Sequence, residues 1–209
     1  MMQSLVDPSF IFRFIAVLIG LVIHEFAHAV TADVLGDKTA KMAGRVTLNP
    51  LAHLDPLGLI MILFAPIGWA KPTPVNASKL RHPRSGMILV ALAGPISNLL
   101  ISIICLTILA LVYPVSTGGF LAQLLWWGGI VNLFLFVFNL IPIQPLDGSR
   151  VVASLLPYRL LVKYRKLDIY GPFILLLFVI IPPLRNHVLY PLLNGVLTFM
   201  LHIFGISGI

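Results

Sequence analysis

The sequence has few charged residues: they make up 10% of its 209 residues, against about 25% in an ordinary soluble domain. Hydrophobic residues make up 59%, which excludes a soluble globular protein. Disorder is excluded as well, because so apolar a chain gains more from burial than ordering costs. The single cysteine, Cys105, excludes an intramolecular disulfide. The composition and length therefore predict one integral membrane domain over residues 1–209.

Long apolar runs predict the membrane-spanning helices. They lie at about 10–32, 85–113, 119–141, 169–184 and 187–205. The apolar piece 57–69 is too short to span, so we expect it to be re-entrant, interfacial or buried. Alternation over 43–48 predicts a short strand whose edge could pair with an unwound substrate segment. The fold class expected is an all-α polytopic membrane protein, with a core at about 10–157 and two C-terminal membrane segments at about 169–206.

Positive charge is concentrated in three polar linkers. They span residues 33–56, 71–84 and 147–168 and hold twelve of the 14 lysines and arginines. The formal net charge of +7 would suggest a nucleic-acid partner in a soluble protein. Between apolar spans, such charges instead face anionic lipid and set topology. We expect no nucleic-acid partner, a cytoplasmic location for these linkers and an N-terminus outside the cell membrane.

The first apolar run contains the sequence His24-Glu25-Phe26-Ala27-His28, and Glu25 is the only glutamate in the chain. Positions i and i+4 share one helix face, so both imidazoles can reach one metal ion while the glutamate flanks it. A polar cluster that only stabilises helix packing is the alternative interpretation. Ionisable groups inside hydrocarbon are costly and usually functional, which favours the metal site.

Two histidines leave a catalytic zinc site one protein ligand short. Asp147 is the best candidate for the third ligand, because it follows a long apolar run and is preceded by Asn139, Pro142 and Pro145. Prolines free backbone groups, which lipid tolerates only where protein or a water-filled cavity covers them. Capping of a helix that begins beside it is the alternative role for Asp147. His53 and Asp55, in a polar linker, are rival ligands.

Together these residues resemble the site-2 protease family of intramembrane zinc metalloproteases, peptidase family M50. The resemblance rests on His24-Glu25-x-x-His28 in a membrane helix combined with Asn139-x-x-Pro142-x-x-x-x-Asp147-Gly148. It is supported by further segments at 44–50, 53–58, 68–72 and Gly94-Pro95-Ile96-Ser97-Asn98. The similarity covers about residues 10–157 and is greatest to the small prokaryotic subgroup without PDZ or CBS domains. It implies a three-helix catalytic core with broken helices and a short β or re-entrant element.

The resemblance also implies roles at the motif positions. His24, His28 and Asp147 would hold one Zn²⁺ per chain. Glu25 would be the general base towards the water that zinc activates and would then protonate the leaving amine. Asn139 would either donate to the oxyanion or hold the broken backbone in place.

Two further residues have less specific expectations. Asn98 would line the site or pack against the core helices, and we favour packing. His53 would contact a ligand or the substrate, or would be a hydrogen-bonded structural residue, and the second interpretation is slightly favoured.

The expected function is hydrolysis of peptide bonds within or near membrane spans, in single-pass membrane proteins or membrane peptides. At about 1.5 Å per residue, residues 24–28 would lie inside the membrane but nearer its cytoplasmic face. Two other functions stay open. A non-catalytic scaffold could hold zinc, although it would not need Glu25. A metal transporter would distribute polar residues along a path rather than gather them at one level.

Overall fold

The computed structural model describes residues 7–58, 70–112 and 119–205. Its helices are α1 (Phe10–Val34), α2 (Thr39–Met42), α3 (Pro50–His53), α4 (Pro83–Val112), α5 (Phe120–Asn139), α6 (Asp147–Leu155), α7 (Tyr158–Arg165), α8 (Gly171–Ile180), α9 (Pro182–Leu184) and α10 (Tyr190–Ile203). A 3₁₀ turn covers Ala77–Lys79, and a π-helical segment joins α9 to α10. The only β pairing in the described residues is an isolated antiparallel bridge between Leu54 and Ala70.

Three helices, α1, α4 and α5, are long and apolar enough to cross a membrane. They coincide with the first three long runs predicted from the sequence, to within two residues at each end. This confirms a multi-pass, all-helical membrane protein. The end of α1 and the start of α4 lie at the polar linkers 33–56 and 71–84, where the apolar composition stops. Pro142 and Pro145 follow the end of α5.

Helix α4 is central, because it packs against both α1 and α5 and also against α6. Leu106 of α4 and Leu133 of α5 are buried together with Met200 of α10. At the other end, Val90 of α4 packs with Ala32 of α1. The three spanning helices thus form one bundle, and α10 packs on its side.

The end of α1 and the start of α4 lie together. The Leu35 carbonyl accepts a hydrogen bond from the Arg81 amide at 3.0 Å. Buried Asp37 accepts hydrogen bonds from the Thr39 amide and hydroxyl, and its other oxygen accepts from the Asn76 amide at 2.6 Å. These bonds join the two cationic linkers at one end of the bundle.

The strand predicted at 43–48 is wrong. Helix α2 ends in a turn in which the Gly44 amide bonds to the Lys41 carbonyl and the Arg45 amide bonds to the Ala40 carbonyl. Gly44 adopts a φ of 68°. This is the Schellman arrangement, which satisfies the last helical carbonyls and needs a left-handed residue. The glycine therefore ends a helix where the alternation of side chains predicted a strand.

The C-terminal region differs from the two separate spans expected at 169–184 and 187–205. The helical segments Gly171–Phe178 and Pro182–Ile203 meet at an angle of 82°. By length and composition they amount together to at most one span, broken or re-entrant. The prolines at the junction lack amide hydrogens, which explains why the helix does not continue straight. Most of the re-entrant piece expected at 57–69 lies outside the described residues, which omit 59–69.

Candidate metal centre

His24, His28 and Asp147 come together inside the bundle, and all three are buried. The His24 Nε2 atom lies 3.0 Å from the His28 Nε2 atom. The Asp147 Oδ2 atom lies 3.0 Å from the former and 3.1 Å from the latter. Among the described residues, these are the one group of three His, Cys, Asp or Glu side chains that could hold a metal ion.

The outer nitrogen of each imidazole is already engaged. His24 Nδ1 lies 2.6 Å from the Asn98 Oδ1 atom, and His28 Nδ1 lies 2.6 Å from the Val90 carbonyl oxygen. Since both neighbours are acceptors, we assign the proton to each Nδ1. The two Nε2 lone pairs then face each other and the Asp147 carboxylate. Such an arrangement is repulsive unless a cation lies between the three atoms.

The space beside the three ligand atoms is kept open by Gly94 of α4. A Cβ atom at this position would lie 2.4 Å from His28 Nε2 and 2.6 Å from His24 Nε2. Zinc binds imidazole nitrogen at about 2.0–2.1 Å, and tetrahedral ligands are then about 3.3–3.4 Å apart. The ligand triangle, at 3.0–3.1 Å, is only a few tenths of an ångström tighter. The donor set and the space at Gly94 therefore fit a zinc ion.

Asp147 reaches the histidines because α5 ends well before it. The chain turns through residues 140–146, and Asp147 is then the first residue of α6. Leu146 is the N-cap residue, and no side chain in the described part of the chain caps this helix, so the capping alternative is not what the structure shows for Asp147. Gly148 allows the start of α6 to lie close to the end of α5, because a Cβ atom there would lie 2.2 Å from the Leu140 carbonyl oxygen. The second oxygen of Asp147 lies 3.8 Å from an Arg150 guanidinium nitrogen.

A chain of buried amides supports the first histidine. Asn98 Nδ2 donates to the Gly20 carbonyl at 3.1 Å and to the Asn132 Oδ1 atom at 2.9 Å. Asn132 Nδ2 in turn donates to the Gly128 carbonyl at 2.9 Å. These acceptors fix the orientation of the Asn98 amide, so its oxygen faces His24. Asn98 thus joins α1, α4 and α5 and orients an imidazole, which is more than the packing role favoured from the sequence.

Glu25 is held from the linker that precedes α4. Its Oε2 atom accepts a hydrogen bond from the Thr73 amide at 2.8 Å, and the Thr73 hydroxyl donates to the Glu25 carbonyl at 3.1 Å. Arg45, which is buried, fixes this linker by donating to the Pro72 carbonyl at 3.1 Å and to the Lys71 carbonyl at 3.3 Å. It also donates to the Ala52 carbonyl. The glutamate therefore has a defined orientation beside the ligand triangle.

The remaining sequence-predicted residues are placed elsewhere. Asn139 Nδ2 donates to the Leu135 carbonyl of its own helix at 2.9 Å. His53 is fully buried, and its Nε2 lies 2.7 Å from the Thr47 carbonyl oxygen. Asp55 accepts from the amides at 57 and 58 in a local turn. His53 and Asp55 are thus not part of the metal-binding group, and His53 has the structural contact that the sequence favoured.

Three residues, Asn132, Gly94 and Thr73, have contacts at the site that the sequence did not predict. Asn132 is an amide in a long apolar run, and the cost of such a group in lipid is a signal that could have identified it. Gly94 and Thr73 act through a missing side chain and a backbone amide. Glycine is a residue type that indicates close approach of the backbone, so Gly94 could have been identified from the sequence. The Thr73 contact uses a backbone amide, which every residue except proline has, so the residue type gives no signal there.

Comparisons with known proteins identify the family of the chain. The family model described as Peptidase family M50 matches residues 113–180. The chain is 42% identical over 189 residues to the Bacillus subtilis protein named "Putative zinc metalloprotease YwhC", covering 87% of this chain and 85% of that protein. The chain belongs to peptidase family M50. No solved structure gives a significant match to this M50 protein.

More distant relatives have similar names. The Mycolicibacterium smegmatis protein "Putative zinc metalloprotease Rip2" is 34% identical over 154 residues, which cover 67% of this M50 chain and 57% of Rip2. "Zinc metalloprotease MJ0392" of Methanocaldococcus jannaschii is 29% identical over 143 residues, which cover 68% and 34% of the two chains. The chain therefore spans only part of these longer relatives. The names support a zinc metalloprotease.

Proposed function

We propose that this M50 protein is an intramembrane zinc endopeptidase. The observation that carries the proposal is the convergence of His24 Nε2, His28 Nε2 and Asp147 Oδ2 within 3.1 Å of one another, with Glu25 beside them in the same helix. Three protein ligands leave a fourth position for water or substrate, as catalytic zinc sites require. The names of the relatives support the same activity.

The side chains divide the chemistry between them. His24, His28 and Asp147 would hold a zinc ion, which would supply Lewis-acid activation of water and of the scissile carbonyl. Glu25 would accept a proton from the attacking water and deliver it to the leaving amine. Its Oε2 is held by the Thr73 amide, while its Oε1 accepts no hydrogen bond from the described residues. One oxygen thus orients the carboxylate and the other is free to carry the proton.

The depth of the metal site in the membrane determines which substrates suit it. His28 lies about 9 Å and His24 about 15 Å from the end of α1 at Val34, taking about 1.5 Å per residue. With the cationic linkers in the cytoplasm and the N-terminus outside, the site lies inside the membrane near its cytoplasmic face. A helix in lipid hides its amides, so the substrate must unwind locally before hydrolysis. The proposed substrates are single-pass proteins or membrane peptides with helix-weakening residues near the cut.

The test compares the wild-type chain with Glu25→Gln in lipid vesicles. The substrate is a single-pass helix with an Asn-Pro pair at the depth of the site, and the same helix with Ala-Leu in its place is the control substrate. We expect wild type to cut the first substrate faster, and Glu25→Gln to lose cleavage while holding about one zinc per chain.

Two results would contradict the proposal. Undiminished cleavage by Glu25→Gln would remove the general base from the mechanism. Zinc retention by both proteins without cleavage of any helix in a panel would favour a zinc-holding scaffold. Each outcome is read from cleavage and metal content in the same sample.

A further inference from the structure

A cavity lies near the metal centre, between the start of α4 and helices α6 and α7. Its volume is about 350 Å³. Three arginines line it, one from each of these helices: Arg84, Arg150 and Arg165. Asp168 is the only carboxylate among its lining residues, so the cavity has an excess of positive charge.

These arginines have few partners within the protein. In the part of the chain that the structure describes, Arg84 and Arg165 make no side-chain hydrogen bond or ion pair. Among the same described residues, the Arg150 side chain has only the 3.8 Å contact with Asp147. Arg84 and Arg165 are exposed and Arg150 is partly buried, so their donors are in contact with solvent. An anion that enters the cavity is attracted by all three guanidinium groups, each of which has several fixed donors. The donors here are available to a ligand.

The position and lining of the cavity indicate which anion it takes. Arg84 lies in the first turn of spanning helix α4, at the end of the bundle that carries the cationic linkers. Met87 and Leu161 give the same cavity an apolar side. A ligand that suits both parts has a phosphate for the guanidinium groups and an apolar portion for the rest. Basic pockets between membrane helices on the cytoplasmic side bind such lipid headgroups.

We propose that this cavity binds the phosphate of an anionic phospholipid headgroup. The guanidinium groups of Arg84 and Arg165 hold the phosphate oxygens, and the apolar side receives the start of the acyl chains. A free phosphate compound offers the same oxygens without the chains, and an acidic peptide offers carboxylates instead. These two ligands are the competing occupants that the test must distinguish.

The test measures binding to the full-length protein in detergent by calorimetric titration. The probes are dioctanoyl phosphatidylglycerol and dioctanoyl phosphatidylcholine, and the competitors are inorganic phosphate and a glutamate-rich peptide. The cavity variant is the double substitution Arg84→Gln and Arg165→Gln. The matched control, Arg159→Gln with Lys163→Gln, removes two exposed positive charges from α7 that do not line the cavity. Arg150 is left unchanged, because its substitution would also disturb Asp147.

We expect wild type to bind phosphatidylglycerol at least tenfold more tightly than phosphatidylcholine. The cavity variant should lose at least tenfold in affinity for phosphatidylglycerol, while the control pair stays within twofold of wild type. Equal losses in both variants would overturn the proposal in favour of general surface charge. Displacement of the lipid by millimolar phosphate or by a glutamate-rich peptide would overturn it in favour of a soluble ligand.

Two further measurements show whether a loss of lipid affinity comes from unfolding or from damage to the metal centre. Each variant should keep its helical circular dichroism and its zinc content, since neither pair contacts the ligand triangle. A cavity variant that unfolds is replaced by the single substitution Arg165→Gln, for which at least a threefold loss of affinity is expected. Binding needs no proteolysis, so failure of this proposal leaves the proposed peptidase activity unaffected.

Discussion

Replacing Gly94 by alanine tests the metal centre most directly, because the new methyl group would take the place of the ion. The Cβ atom would lie 2.4 Å from His28 Nε2 and 2.6 Å from His24 Nε2. An ordinary contact needs at least 3.4 Å, so the two nitrogens must move by about 1.0 and 0.8 Å. Zinc sites tolerate about 0.2 Å. The substitution should therefore remove metal binding.

The imidazoles cannot move without a further loss. Their Nδ1 atoms are fixed at 2.6 Å from the Val90 carbonyl and from Asn98. Breaking either buried hydrogen bond costs about 1–3 kcal/mol. We therefore expect Gly94→Ala to lower zinc affinity at least about 100-fold, which corresponds to about 2.8 kcal/mol at about 1.4 kcal/mol per tenfold.

The assay is zinc per chain, measured by atomic emission after dialysis against a graded series of chelator concentrations. Gly86→Ala is the matched control in the same helix, since its Cβ atom would come no closer than 3.3 Å to the Leu80 side chain. Wild-type zinc content in Gly94→Ala would refute the placement of the ion. Equal loss in Gly86→Ala would attribute the effect to packing of α4.

Three further substitutions test two supports of the site and the junction between the linkers. Thr73→Pro removes the amide that holds the Glu25 carboxylate and should lower the cleavage rate at least about tenfold, with zinc content unchanged. Asn98→Leu leaves the His24 Nδ1 proton without an acceptor and should lower zinc affinity about 10–100-fold, measured by chelator competition. Asp37→Asn replaces an accepting oxygen by a donor and should lower the free energy of unfolding by about 1.5–3 kcal/mol, measured by denaturant titration in detergent.

The first two of these substitutions have matched controls. Thr73→Ser keeps the amide and the hydroxyl, so a loss there equal to that of Thr73→Pro would contradict the role of the amide. Ser102→Ala lies one turn beyond Asn98 in α4 and removes a buried hydroxyl for which the described residues supply no hydrogen-bond partner. It should leave zinc affinity within twofold of wild type. A loss matching that of Asn98→Leu would show that any buried change in α4 disturbs the metal site.

The Asp37 prediction extends to pH. Burial raises the pKa of the Asp37 carboxyl, but hydrogen bonds from Thr39 and Asn76 outweigh it, and the net pKa is below its usual value. Because the pKa of Asp37 is lower in the folded state, its ionised carboxylate stabilises the protein fully at pH values above the unfolded pKa of about 3.9. This stabilisation is lost as the pH falls through the folded pKa. The stability difference between wild type and Asp37→Asn should therefore stay constant from pH 7 to 5. A difference that disappears in that range would contradict the assignment.

Much of the fold could be predicted from the sequence, because hydrocarbon imposes a simple rule on composition. Helices α1, α4 and α5 follow from apolar runs long enough to cross the membrane. The short segments were predicted less well. At Gly44, a backbone conformation ended a helix where the alternation of side chains predicted a strand. The C-terminal helices bend at prolines whose effect on direction the apolar pattern does not reveal.

The candidate site could also be predicted only in part. His24 and His28 are one helical turn apart, so their proximity could be predicted from spacing alone. Asp147 was found because polar and helix-breaking residues at membrane depth need a reason. Thr73 could not be found, since its contact with Glu25 uses a backbone amide brought from another linker. Long-range contacts of this kind depend on tertiary structure, which a single sequence does not display.

The separation of the ligands along the chain has a consequence for biosynthesis. Asp147 follows His28 by 119 residues, which a ribosome adds in about 6–24 s at about 5–20 residues per second. During that interval the nascent chain has two imidazoles in the bilayer but lacks their carboxylate partner. The centre is completed only after the third long helix has been made, when α6 folds back onto the bundle. Order of synthesis thus keeps a half-inserted chain from assembling its metal centre among other newly made membrane proteins.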